Sequence, residues 1–168
     1  MRTPLTLLAA VALAGSALAI APGAARGQLV VGVHAVEASK TLGGATGAGL
    51  RAGLDLPLLP FDLLASGEYF FPDCPDERDG CSFWGATLDA NVGMILPIVT
   101  PYVSGGLAYR SLKRFEEDDA ETATGASVGA GVTVSLGGLR GFAEVRYELV
   151  EIPDEQTLIR VGLLLGVP

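Results

Sequence analysis

The chain has 168 residues, 11 Lys plus Arg against 19 Asp plus Glu, a formal charge of −8 and 23 glycines. Mean hydropathy of +0.44 with 18 % charged residues excludes a disordered chain. The acidic balance argues against phosphate neutralisation, and so against nucleic acid. Beyond the N-terminus no apolar run reaches 18 residues, so no membrane-spanning helix is expected, and the length suits one domain.

Residues 1–27 read as a secretory signal peptide. Met1-Arg2 supplies the charged start, Leu5 to Ala14 the short apolar core, and Ala17-Leu18-Ala19 the small residues of a cleavage site after Ala19. Ala25-Arg26-Gly27 offers a second site near Gly27. Cleavage there removes two Arg and no acid, leaving a mature charge of −10 over residues 28–168.

After Gln28 the apolar period is two, not 3.6, and eight segments carry it. The first, residues 28–37, holds the single histidine, His34. In Thr46 to Pro57, Ala48, Leu50, Ala52, Leu54 and Leu56 oppose Gly47, Gly49, Arg51, Gly53 and Asp55. Residues 62–71 follow more weakly. Then Trp84, Ala86, Leu88, Ala90, Val92 and Met94 oppose Gly85, Thr87, Asp89, Asn91 and Gly93. Residues 101–112 come next, and Ala126 to Ser135 alternates without a break. Ala143, Val145, Tyr147 and Leu149 oppose Glu144, Arg146 and Glu148, and 157–167 closes the series.

The links alternate as well. Those at 57–61, 97–101 and 136–141 are short and turn-forming, whereas 38–45, 72–82, 113–121 and 151–156 are mostly longer and polar. An up-and-down antiparallel sheet puts the short turns at one end and the long loops at the other. Eight strands form the smallest common closed barrel, and closure removes exposed edges. The expected fold is an all-β, eight-stranded antiparallel transmembrane barrel.

Apolar faces of about ten residues match the 9–11 that cross a bilayer as a tilted strand. The opposite parity collects Arg51, Asp55, Glu68, Asp89, Arg110, Glu144, Arg146, Glu148 and Arg160, four bases and five acids, which can pair inside a narrow barrel. Tyr69, Phe71, Trp84 and Tyr147 near the long-loop ends, with Phe61 at a short turn, fit an interfacial girdle. A soluble lipocalin-like barrel with its apolar face inside, holding an apolar ligand, is the alternative.

With its signal peptide, alternating Gly-rich strands and final Leu158 to Val167 segment containing Arg160-Val161-Gly162-Leu163, the mature chain resembles the small eight-stranded outer-membrane barrels of the OmpA-domain and OmpX kind. The resemblance implies an integral protein in outer-membrane lipid, with periplasmic termini and long loops outside the cell. That family usually ends its last strand on an aromatic, whereas this chain ends Gly166-Val167-Pro168.

Little chemistry is written in the chain. His34 lacks a local nucleophile or acid; a barrel lipid hydrolase using it, with Ser104 or Asp89 brought near by the fold, is the enzymatic alternative to a non-catalytic protein. Two cysteines and one histidine do not make a closed zinc site, the 76–80 run fails the EF-hand pattern, and the glycines at 47–52 precede a strand rather than a helix. No cofactor is expected. Cys74 and Cys81 flank a turn-rich stretch and, in an oxidising compartment, are expected to form a disulfide that holds one loop tip.

The loops carry the charge. Asp73, Asp76, Glu77 and Asp79 against Arg78 give −3; Glu116, Glu117, Asp118, Asp119 and Glu121 against Lys113 and Arg114 give −3; Glu151, Asp154 and Glu155 give a further −3. Such a rim can recruit divalent cations or basic surface partners, although acidic tips are also simply well solvated. The sequence thus points to a monomeric barrel acting structurally or through its external loops. Solute uptake is disfavoured by the narrow bore.

Overall fold

The computed structural model describes residues 28–39, 44–56, 59–72, 81–94, 96, 98–114, 119–152 and 155–167. The expected signal segment 1–27 and Cys74 lie outside them. Eight strands follow in order: β1 (Gln28–Ser39), β2 (Ala45–Asp55), β3 (Asp62–Phe71), β4 (Cys81–Gly93), β5 (Val99–Arg114), β6 (Glu121–Leu136), β7 (Leu139–Leu149) and β8 (Gln156–Val167). Each pairs antiparallel with the next, and β8 pairs back onto β1, so the sheet closes with no free edge. Gly32 lies between Arg51 of β2 and Leu164 of β8 at that closure.

Several strands run past the alternating pattern, because ladder hydrogen bonds satisfy the backbone whatever the side chains are. The last pairs reach Leu112↔Glu121 and Cys81↔Arg114, so Lys113, Arg114 and Glu121 are strand residues rather than loop. Gln156 likewise opens β8, and Pro101 lies inside β5 with its carbonyl accepting from the Met94 N–H at 3.0 Å. The β6–β7 link shrinks to Gly137-Gly138, since Leu136 pairs directly with Leu139. Gly137 has φ of +72°, a conformation that costs a glycine little and other residues much.

Alternation places the two parities on opposite faces of the wall. Outward lie Leu50, Leu88, Val103, Leu107, Val145 and Val161, all exposed, with Leu50 68 % and Leu107 60 % exposed. Inward lie the ionisable groups, with Arg110 and Arg160 at 0 %. Polarity is therefore inverted relative to a water-soluble barrel, and this contradicts the lipocalin-like alternative, which needs the apolar parity inside. Around the outside near the long loops sit Tyr69, Phe71, Trp84, Tyr109 and Tyr147. Tyr69 and Phe71 have ring centroids 5.5 Å apart, and Trp84 and Tyr109 5.4 Å.

Candidate functional site

The barrel interior has three zones along its axis. At the long-loop end, Val36 and Ala38 of β1, Phe70 of β3, Phe83 of β4, Leu112 of β5 and Leu158 of β8 form one buried apolar cluster, with the Phe70 and Phe83 rings tilted by 32° and their centroids 4.7 Å apart. Partly buried Ile152 packs on it from the β7–β8 link. These residues share the inward parity with the charged groups and differ only in depth.

Below the plug lies an ionic belt. Arg110 donates to both carboxylate oxygens of Glu148, from Nε at 2.8 Å and Nη2 at 2.6 Å, and its Nη1 stands 2.8 Å from Glu68. Arg160 joins Glu68, Glu144 at 3.0 Å and Glu148 at 3.7 Å. Arg146 reaches Glu144 at 3.1 Å and crosses the lumen to Asp89, with Ser127 at 2.7 Å and Ser104 at 3.3 Å. Arg51 donates to Ser66 at 3.1 Å and Glu144 at 3.3 Å, and its guanidinium lies 4.2 Å from the Phe142 ring centroid. Tyr102 donates to Glu144 at 2.9 Å and Gln156 to Glu148 at 3.1 Å.

Four buried guanidiniums thus face four buried carboxylates, Glu68, Asp89, Glu144 and Glu148. The bidentate Arg110–Glu148 pair and the other charge-assisted contacts offset the cost of taking such groups out of water, which each alone could not bear. The belt also depends on absent side chains. A Cβ at Gly85 would fall on Nη1 of Arg110 and within 2.6 Å of its Cδ, so glycine there leaves the guanidinium its room.

His34 belongs to the belt. Its Nε2 is 3.2 Å from Glu68, and its ring stands edge-on to Phe142 with centroids 6.0 Å apart. Ser104 and Asp89, the partners a hydrolase would need beside His34, are instead engaged by Arg146.

Asp55 stands apart from the other inward charges. It sits at the short-turn end, partly exposed, and pairs with Arg140 at 2.8 Å; Arg140 also donates to Gln28 at 3.4 Å. There the interior opens into a cavity of about 690 Å³, floored by Arg51, Tyr102 and Phe142.

Of the acidic loop residues, Asp119, Glu121, Glu151 and Glu155 are exposed at the long-loop end, and the Tyr147 hydroxyl donates to Glu155. Asp73, Asp76, Glu77, Asp79, Glu116, Glu117, Asp118 and Asp154 lie outside the described residues, as does the expected Cys74–Cys81 bond. Among the described residues no group of three or more His, Cys, Asp or Glu is placed to hold a metal ion.

Tyr102, Phe142, Arg140 and Gln156 join the interior without a charge pattern or motif in the sequence that singles them out. Parity is the signal for the first: Tyr102 lies on the Ser104 and Arg110 parity of β5, so a lone aromatic there faces the charged groups. Phe142 shares the parity of Glu144 and Arg146 in the same way.

No family model and no curated protein sequence matches the chain. Solved structures do. The N-terminal β-barrel domain of Pseudomonas aeruginosa OprF is 18 % identical, with 84 % of this chain and 100 % of that one covered at a TM-score of 0.60. Neisserial surface protein A is 17 % identical over 86 % of this chain and 99 % of that one, at 0.62. Ail, the attachment invasion locus protein of Yersinia pestis, is 14 % identical over 86 % and 98 %, at 0.55. These are eight-stranded outer-membrane barrels. The chain has their fold. At such identities the likeness is one of architecture, and the belt and cavity are described from this chain's own residues.

Proposed function

We propose that this chain is an integral outer-membrane barrel, exported by the 1–27 signal peptide, that holds its place in the lipid structurally and meets partners through acidic loops outside the cell, without catalysis. The observation that carries the reading is the inverted wall, with leucines and valines outward and four guanidinium–carboxylate sets inward. A wall of exposed Leu50, Leu88, Val103 and Leu107 is stable only against an apolar solvent. The long-loop girdle of Tyr69, Trp84 and Tyr109 suits the lipid–water boundary. A filled interior favours a closed barrel over a solute channel.

The loop end supports the interaction part. Its exposed Asp119, Glu121, Glu151 and Glu155 continue into further acids in the adjoining sequence, so basic surfaces or divalent cations are the complementary partners. Ail was crystallised with a heparin analogue, a polyanion; the acidic loops of this chain favour the opposite sign. A Cys74–Cys81 disulfide would tie the β3–β4 loop.

The test is expression of the full precursor, membrane fractionation, and unheated against boiled samples on an SDS gel. A band in the outer-membrane fraction that shifts only on boiling is expected. Recovery in the soluble periplasm without a shift would overturn the reading.

A further inference from the structure

The cavity at the short-turn end is open to solvent on one side and floored by the belt on the other, and its lining carries two guanidiniums, Arg51 and Arg140, and two carboxylates, Asp55 and Asp62. Arg51 is committed to Glu144 at 3.3 Å and Arg140 to Asp55 at 2.8 Å. Asp62, which lines the same cavity, is in no ion pair among the described residues, and the Arg140 guanidinium and the Asp55 carboxylate act on it through space with opposite sign.

Directly across the β3–β4 ladder from Asp62 stands Asn91, also lining the cavity. Asn91 is 8 % exposed, and its Oδ1 has no hydrogen-bond partner among the described residues. Residues paired this way hold their Cβ atoms about 4.5–5.5 Å apart. Two acceptors, one charged and one buried without a donor, therefore sit side by side. Leaving such groups unsatisfied is costly, and a buried orphan acceptor in a cavity wall asks for a donor. Beside them the wall turns apolar: Leu64 is two residues from Asp62 on the same face, and Val30 packs near it.

From this juxtaposition of Asp62, Asn91 and an apolar wall, we propose that the turn-end vestibule binds a small organic monocation, a protonated primary amine on a compact apolar body. The ammonium donates to the Asp62 carboxylate and to Asn91 Oδ1, and the body lies on Leu64 and Val30. An ammonium supplies three donors and one positive charge, which suits two neighbouring acceptors, one of them a carboxylate outside any ion pair among the described residues. A cavity of about 690 Å³ falls within the usual range for such ligands. A carboxylate on the same body meets Asp62 and is refused. The proposal needs only the folded barrel, so it stands or falls separately from the outer-membrane location.

The test uses mature protein refolded into lipid nanodiscs, with folding checked by the boiling-dependent gel shift and empty nanodiscs as blank. Phenethylammonium and 3-phenylpropionate are titrated in turn by calorimetry. Saturable one-to-one binding of the ammonium is expected, with no binding of the carboxylate and at least a tenfold loss in affinity for Asp62→Asn and for Asn91→Leu. No saturable ammonium binding, equal binding of both probes, or unchanged affinity in Asp62→Asn would overturn it. Where a variant fails to give the shifted band, the two probes on the unaltered protein decide the matter.

Discussion

At the long-loop end of the lumen, Phe70, Phe83, Leu112 and Leu158 pack into a buried plug; at the turn end the same strands leave a cavity with Asp55, Asp62 and Arg140 about its mouth. One parity of residues lines both, so position along the axis, and not the choice of face, decides what a residue does. The plug excludes water by bulk. The belt below it closes the lumen by charge pairing, and its underside becomes the floor of an accessible site. A narrow barrel can thus be sealed toward one side and receptive on the other without any moving part.

The largest effect expected on this arrangement comes from the belt. Arg160→Met removes the guanidinium shared by Glu68, Glu144 and Glu148 and leaves buried carboxylates underpaired. A loss of about 3–5 kcal/mol is expected, read from the urea midpoint of unfolding in micelles. Next comes the plug. Phe70→Ala empties a ring that is 0 % exposed and should cost about 3 kcal/mol by the same titration. Because the belt remains, planar bilayers holding this variant should still show no steady openings; sustained large openings would mean that the plug alone seals the lumen.

Gly85→Ala comes third. It forces a methyl against Arg110 and the Tyr109 carbonyl, and an overpacking cost of about 1–3 kcal/mol is expected in the same urea curves. The smallest effect belongs to the mouth. Arg140→Ala breaks a pair whose side chains are 30 % and 25 % exposed, so water screens most of it, and a change of about 0–1 kcal/mol is expected. A loss there as large as at Arg160 would erase the distinction between a dry belt and a wet mouth.

Much of this was legible in the chain. Uninterrupted alternation from Ala126 to Ser135 marks a two-faced strand, and the charged parity of Glu144, Arg146 and Glu148 marks the inward one. Short and long links in turn mark the up-and-down order. What escaped has a physical cause. Arg146 finds Asp89 across the lumen, from β7 to β4, and Arg51 of β2 finds Glu144 of β7; no local spacing encodes a contact between strands that are not neighbours. Phe70 and Phe83 are apolar residues on the polar parity, so a two-state pattern cannot place them without the depth at which each strand sits. Asp55 and Arg140 read from sequence as an interior charge and a turn residue, and only closure of the barrel makes them partners.

That the apolar parity faces lipid is tested most directly at the single tryptophan, Trp84. It lies on the outward parity of β4 near the long-loop end, beside Tyr109. In vesicles of lipid brominated high on the acyl chain, Trp84 fluorescence should be strongly quenched, more than by lipid brominated deep in the chain, with little further loss to aqueous iodide. Efficient iodide quenching with no response to either brominated lipid would place that face in water and contradict the inverted wall.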